Sequence, residues 1–119
     1  MLLKKRTLLL VSLIACLCHL SGVSSDETAK VIKISAKKFA FSPQNITLKK
    51  DKAVILQLTT LDQMHGFSIP ALDLRADIQP GRVTELKITP KNTGDMHFYC
   101  DIFCGSGHDD MNGKITVVD

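Results

Sequence analysis

The sequence predicts an all-β fold, a two-sheet antiparallel β-sandwich. Apolar and polar residues alternate with a period near two through most of the chain after residue 30, which is the pattern of half-buried strands. Polar clusters that contain Pro, Gly or Asn divide these stretches, as turns do. No segment has the period of a convincing helix. Several short strands separated by turns at such intervals favour a sandwich.

The first half of the chain supplies the strands that open the fold. Val31, Ile32 and Ile34 begin a strand region that leads into the aromatic pair Phe39 and Phe41. Alternating residues predict further strands at 46–48 and 54–59. Turns are expected at 42–45 and 50–52, where polar residues cluster.

The second half contributes strands at 83–88, 96–100 and 113–118, divided by turns at 79–81 and 90–94. In the strand at 96–100, alternation places Met96, Phe98 and Cys100 on one face and His97 and Tyr99 on the other. We therefore leave His97 out of any site that includes Cys100.

Residues 1–25 have the composition of a secretory signal peptide. A basic start, Lys4 to Arg6, precedes an apolar run of 14 residues and a stretch of small residues. A spanning helix needs about 20 residues, so no transmembrane hairpin is expected. We predict a signal peptide at 1–25 and one domain at 26–119, located in the periplasm or elsewhere outside the cytoplasm. A second interpretation makes Cys16 a lipid-bearing residue, since the three residues before it resemble a lipoprotein processing box.

The charge balance excludes several classes of function. The chain has 15 basic and 12 acidic residues, a net charge of +3. The predicted signal peptide accounts for this excess, so the remaining domain is neutral and no nucleic-acid surface is expected. The sequence also contains no glycine-rich phosphate loop, no nucleophile elbow and no paired carboxylates for acid–base catalysis. We therefore do not predict an enzyme.

The segment from Cys100 to Met111, CDIFCGSGHDDM, concentrates potential metal ligands. Thiolate and thioether sulfur are soft ligands that suit copper(I), and imidazole serves either copper oxidation state. A mononuclear blue-copper centre uses one cysteine, whereas this segment contains two, four positions apart. Two bridging thiolates indicate two copper ions. Gly105 and Gly107 suit a segment that folds tightly back on a metal.

This spacing resembles that of a known family, the binuclear copper A (CuA) domain of cytochrome c oxidase subunit II and nitrous oxide reductase. The family motif is Cys, three residues, Cys, three residues, His, two residues, Met, and the segment 100–111 matches every position. His65, in the run MHGFSIP, matches a second histidine that the family takes from an upstream loop. The Pro-Gly-Arg turn at 80–82 matches as well. The resemblance covers residues 31–118.

The resemblance implies a role for each ligand. The two cysteines would bridge both copper ions, the two histidines would each cap one ion, and the methionine would be a weak ligand. A backbone carbonyl two residues past the first cysteine would complete the set. The implied cofactor is a binuclear copper centre, mixed-valence when oxidised. Its implied ligands are His65, Cys100, the Ile102 carbonyl, Cys104, His108 and Met111.

The same resemblance implies a Greek-key cupredoxin sandwich with both ligand loops at one end. The implied function is single-electron transfer, with a cytochrome or a copper-dependent reductase or oxidase as the redox partner. Ile102 and Phe103 are expected to limit water at the metals. Two features depart from the oxidase pattern: Ile102 replaces a glutamate that also serves a magnesium site, and the chain has no tryptophan. These departures favour a small stand-alone relative.

Three alternatives remain open. The chain could bind copper in order to buffer it or deliver it to an acceptor protein. Cys100 and Cys104 could form a disulfide in a metal-free interaction domain, because paired cysteines in exported proteins are commonly bridged. The two cysteines and two histidines could also bind zinc, which would leave Met111 without a role.

Overall fold

A computed structural model describes Gly22 and residues 27–119, which contain nine β-strands in two sheets. The predicted signal peptide, including Cys16, lies outside the described residues apart from Gly22. The all-β prediction is confirmed. The strands are β1 (Lys30–Lys37), β2 (Ala40–Ser42), β3 (Asn45–Lys49), β4 (Val54–Thr60), β5 (His65–Ile69), β6 (Leu74–Ile78), β7 (Thr84–Ile88), β8 (Gly94–Tyr99) and β9 (Asn112–Val118).

The two sheets have four and five strands. The first has the order β2-β1-β4-β7 and the second the order β3-β9-β8-β5-β6. Each sheet contains one parallel pair: β1 with β4, where Ile34 lies opposite Leu58, and β3 with β9, where Ile46 lies opposite Ile115. The prediction of purely antiparallel sheets was therefore wrong. Parallel partners are distant along the chain, and local periodicity says nothing about which distant strands pair.

An aromatic cluster joins the two sheets in the core. The ring of Phe41, from the first sheet, lies edge-on to Phe67 and Phe98 of the second, with centroids 5.6 and 5.2 Å apart. Phe67 and Phe98 stack at 5.0 Å. Alternate residues of β4, namely Val54, Leu56 and Leu58, are buried against this layer, as period-two strands predict.

Two strands, β5 and β6, were missed in the sequence analysis. In β5 four of the five residues are buried, so the strand lacks the alternation that marks a half-exposed strand. In β6 the signal was present, because Leu74, Ala76 and Ile78 alternate with two exposed charged residues. The described residues include two single 3₁₀ turns, Pro70–Leu72 and His108–Asp110. None of the described helices is long and apolar enough to span a membrane.

Candidate metal centre

His65 is the first residue of β5, and its side chain is completely buried. The sequence analysis expected this histidine in a loop, and its position inside a strand corrects that prediction. Its Nε2 lies 2.7 Å from Oδ1 of Asp62. Its Nδ1 is buried and has no hydrogen-bond partner within the described part of the chain. An orphaned buried nitrogen is costly unless something binds it.

Asp62 is a functional residue that the sequence analysis missed. The backbone N–H groups of Lys38 and Gln63 both donate to its carboxylate at 2.7 Å. Led by the Lys38 amide, these donors and His65 hold the pKa of the Asp62 carboxyl well below its usual range. An ionised carboxylate can only accept, so the proton of a neutral His65 ring is on Nε2 and Nδ1 keeps its lone pair. The acid three residues before the histidine was the available signal.

The other candidate ligands lie in residues 100–111, which begin where β8 ends and which we call the second ligand segment; the first contains His65. Cys100 and Cys104 are buried free thiols whose Sγ atoms are 3.9 Å apart. The Cys104 Sγ is also 3.7 Å from Nδ1 of His108 and 3.8 Å from Sδ of Met111. A ring nitrogen of His65 and the two Sγ atoms all lie within 4.8 Å of one another. The structure therefore brings the five predicted side chains from two distant segments into one cluster.

The Ile102 carbonyl oxygen also faces this cluster, because it accepts a hydrogen bond from the Cys100 thiol at 3.1 Å. The prediction for the neighbouring side chain was wrong. Phe103 was expected to limit water at the metals, yet 79% of its surface is exposed. Its ring lies 5.7 Å from that of His108, on the solvent side of the segment.

Backbone hydrogen bonds hold the ligand segment in its folded-back shape. The Cys100 N–H donates to the Met111 carbonyl at 3.0 Å, which closes the segment at the ends of β8 and β9. A 3₁₀ turn starts at His108, whose N–H donates to the Gly105 carbonyl at 3.1 Å. Gly105 has a φ of +134°, a conformation that side chains disfavour. The Gln63 side chain ties the two segments together by donating to the Cys104 carbonyl at 2.9 Å.

An ion pair between Arg75 and Asp101 braces the start of the segment against β6. The Arg75 Nε and Nη2 atoms donate to the two carboxylate oxygens of Asp101 at 2.7 and 3.1 Å. The Arg75 guanidinium lowers the pKa of the Asp101 carboxyl. The carboxylate lies directly over Gly66, where any Cβ would overlap it. Asp101, which follows Cys100, is thus fixed beside Gly66, which follows His65.

The donor set fits a thiophilic metal. Burial raises the pKa of the Cys104 thiol to about 11, and its hydrogen bond with Cys100 acts in the same direction. A bound cation would reverse this preference, since metals bind the thiolate. The lone pair of His65 Nδ1 and the buried Met111 sulfur complete a set of soft and borderline donors. His97, in contrast, is exposed on the other face of β8, as predicted.

Comparison with known proteins agrees with this geometry. The sequence profile of the cupredoxin-like domain matches residues 7–117 of the chain. The chain belongs to the cupredoxin-like domain family. This membership agrees with the two-sheet β fold. It confirms the resemblance stated from the spacing of the cysteines, histidine and methionine.

Two relatives of this cupredoxin-like domain are the proteins expected from that spacing. It is 28% identical over 95 residues to cytochrome c oxidase subunit 2 of Thermus thermophilus, covering 80% of the chain and 70% of the relative. It is 31% identical over 101 residues to nitrous-oxide reductase of Cupriavidus necator, covering 82% of the chain and 16% of the relative. The chain therefore spans most of one relative and a small part of the other.

Solved structures share the cupredoxin-like fold. The periplasmic domain of cytochrome oxidase subunit II (CoxB) of Bradyrhizobium japonicum superposes with a TM-score of 0.70 at 23% identity, covering 76% of this chain and 84% of that one. The metal binding domain of the Streptococcus pneumoniae Cu(I) exporting ATPase CopA superposes with a TM-score of 0.61 at 22% identity, covering 75% and 85%. At these identities the likeness concerns the fold.

Proposed function

We propose that this cupredoxin-like domain is an extracytoplasmic electron-transfer protein with a binuclear copper centre. The observation that carries the proposal is the convergence of an orphaned buried imidazole nitrogen on two free thiols 3.9 Å apart. Cys100 and Cys104 would bridge the two ions, and His65 and His108 would each cap one. The Met111 sulfur and the Ile102 carbonyl would be the weaker ligands.

When bound, such a centre would supply one-electron redox chemistry, with the electron shared over both ions. The protein would contribute a site whose shape is set in advance. The Asp62 carboxylate fixes the His65 ring and its tautomer, as residues behind metal-bound histidines commonly do. The buried sulfur atoms would exclude water from one side of the centre. The surrounding sandwich would limit how far the ligands move when the centre gains or loses an electron.

The proposed partner is a redox protein, a cytochrome or a copper-dependent reductase or oxidase. The two relatives, a cytochrome c oxidase subunit and a nitrous-oxide reductase, support this class of partner. The exposed Phe103 ring lies beside His108, so the solvent side of that ligand is where a partner would approach most closely. The periplasmic domain among the structural neighbours supports a location outside the cytoplasm.

Two of the alternatives lose support in this geometry. A zinc site would leave the buried Met111 sulfur, 3.8 Å from Cys104, without a role. A disulfide requires two sulfurs about 2.05 Å apart, whereas these are separate thiols, and it would leave the nitrogen of His65 orphaned.

Copper delivery is the second candidate function, and Ile102 favours it. The hydrocarbon side chain of Ile102 occupies the position at which the oxidase pattern has a glutamate that also serves a magnesium site. The same fold also occurs in the metal binding domain of a Cu(I) exporter. A delivery protein would release its copper readily to an acceptor.

The test is metal analysis with electron paramagnetic resonance of the copper-loaded domain. Two coppers per chain and a seven-line hyperfine pattern, from one electron shared by two nuclei, would support the binuclear centre. One copper with a four-line pattern would contradict it. A spectroscopically silent copper(I) protein that loses its metal to a chelator would favour delivery.

Cys104→Ser sharpens this test, because it removes one bridging sulfur with little change of volume. We expect it to lose the seven-line pattern and to bind fewer than two coppers. Ser106→Ala is the matched control, since Ser106 is an exposed residue of the same segment. An unchanged spectrum in Cys104→Ser would refute the bridging role.

A further inference from the structure

The two residues that connect β1 to β2, Lys38 and Phe39, contact both halves of the candidate centre. We call these two residues the β1–β2 turn. The Lys38 N–H donates to Oδ2 of Asp62 at 2.7 Å, and the other oxygen of that carboxylate lies 2.7 Å from His65 Nε2. The backbone of the turn thereby fixes the carboxylate that orients the first histidine.

Phe39 contacts the other ligand segment. A Cβ added at Gly105 would fall 2.9 Å from its ring, and one added at Gly107 would fall 2.5 Å from it. Both distances are far below van der Waals contact, so the ring packs directly on the glycine backbone. This backbone connects Cys104 to His108. Phe39 thus supports the stretch that sets the separation of these two side chains.

We propose that the β1–β2 turn is a positioning element that holds both ligand segments of the copper centre in register. Neither of its residues offers a ligand. One residue acts through a hydrogen bond to Asp62 and the other through ring contact with two glycines, so a shift of the turn would move both segments together. The proposal rests on the copper centre proposed above.

This arrangement explains the absence of a side chain at position 107. Gly107 has φ −97° and ψ 11°, angles that other residues also adopt. Backbone conformation therefore does not require glycine there, in contrast to Gly105 with its positive φ. The requirement comes from the Phe39 ring, which occupies the space that a Cβ would need.

A double-mutant cycle on Phe39 and Gly107 tests the proposal, because contacting residues have effects that do not add. The measurement is the rate at which the copper-loaded, reduced protein loses copper to a copper(I) chelator. Phe39→Ala and Gly107→Ala should each speed the loss about 10–100-fold, the usual effect of disturbing the support of metal ligands. In the Phe39→Ala background, Gly107→Ala should add nothing, since the ring is gone.

Leu86→Ala is the control for a general loss of packing. Leu86 is half-buried in the middle of β7, where it pairs with Leu56 and not with a ligand segment. The proposal is overturned if Leu86→Ala speeds copper loss as much as Phe39→Ala does. It is equally overturned if Gly107→Ala has the same effect with and without the Phe39 ring.

A second readout separates this proposal from the proposed function. In the copper-free protein, amide hydrogen exchange at residues 104–108 should be faster in Phe39→Ala than in wild type or Leu86→Ala. If the wild-type protein binds no copper, the proposed copper centre is refuted. The positioning role would still predict faster exchange in Phe39→Ala than in wild type or Leu86→Ala. Equal exchange rates in Phe39→Ala and Leu86→Ala would refute the positioning role.

Discussion

At the scale of single residues, the spacing of the ligands predicted the cluster, whereas the residues that position those ligands were missed. The side chains at 100, 104, 108 and 111 could be predicted because each metal ligand type is distinctive and their intervals are short. Asp62 was missed, because an exposed acid in a polar loop looks like a solvated residue until its three donors, the Lys38 and Gln63 amides and the His65 ring, are seen. Phe103 was misjudged because sequence does not tell on which side of a loop a ring lies.

Asp62→Asn tests the hydrogen bond behind His65. The carboxylate accepts at both oxygens, from the Lys38 N–H and from the His65 ring. An amide would set its NH₂ group against one of these donors. We expect the rate of copper loss to a chelator to rise about 10–100-fold. Asp109→Asn removes the same charge from an exposed loop position and should leave the rate unchanged, and equal rates in both variants would contradict the role of Asp62.

The Cys104 thiol makes copper binding dependent on pH. Its pKa is raised to about 11 by burial, so it is protonated across the physiological range and must lose its proton to become a ligand. Copper affinity should therefore rise with pH, about tenfold per unit from this thiol alone, between pH 6 and pH 8. Competition with a copper(I) chelator of known pH dependence would measure it. An affinity that is constant over this range would show that the thiol is not a ligand.

At the scale of elements, alternation predicted most strands that have one buried face, and β6, which also alternates, was overlooked. It failed for β5, in which four of five residues are buried, and it gave no information about the parallel pairs. Strand order follows from contacts between distant segments, and the sequence analysis gave no strand order beyond the Greek-key sandwich that the family resemblance implies. The site shares this property, because His65 reaches the cysteines through the pairing of β5 with β8.

Gly66→Ala tests how β5 is fitted to the ligand segment. A Cβ at this position would overlap the Asp101 carboxylate and lie 3.0 Å from the Asp101 backbone nitrogen. Asp101 cannot simply rotate away, because both its oxygens are bound by Arg75. We expect a loss of about 1–3 kcal/mol in the free energy of unfolding, as for other overpacked sites.

Thermal unfolding of the copper-free protein measures this loss. In a domain of this size, each kcal/mol lowers the melting temperature by about 4–8 °C. Ser68→Ala, two residues further along β5, is the control that changes the same strand without overlap. In an Asp101→Ala background the cost of Gly66→Ala should shrink. A cost that stays the same there would place the strain elsewhere.

At the scale of the whole molecule, copper should stabilise the fold. The ligands come from β5 and from the connection between β8 and β9, so an unfolded chain does not present them together. A metal at 100 times its dissociation constant adds about 2.7 kcal/mol when it binds only the folded state. The melting temperature should therefore rise on copper loading. Cys104→Ser should show a smaller rise in melting temperature on copper loading than wild type does, and an equal rise in that variant would show that copper acts at another site.

The parallel pairing of β3 with β9 has a consequence for biosynthesis. The last strand of the chain separates β3 from β8, so the five-stranded sheet cannot be assembled until β9 has been made. Both cysteines precede β9, and their burial depends on the closed segment between β8 and β9. A growing chain therefore carries two thiols that the fold does not bury until β9 has been made. During this interval the sandwich itself cannot shield them from oxidation.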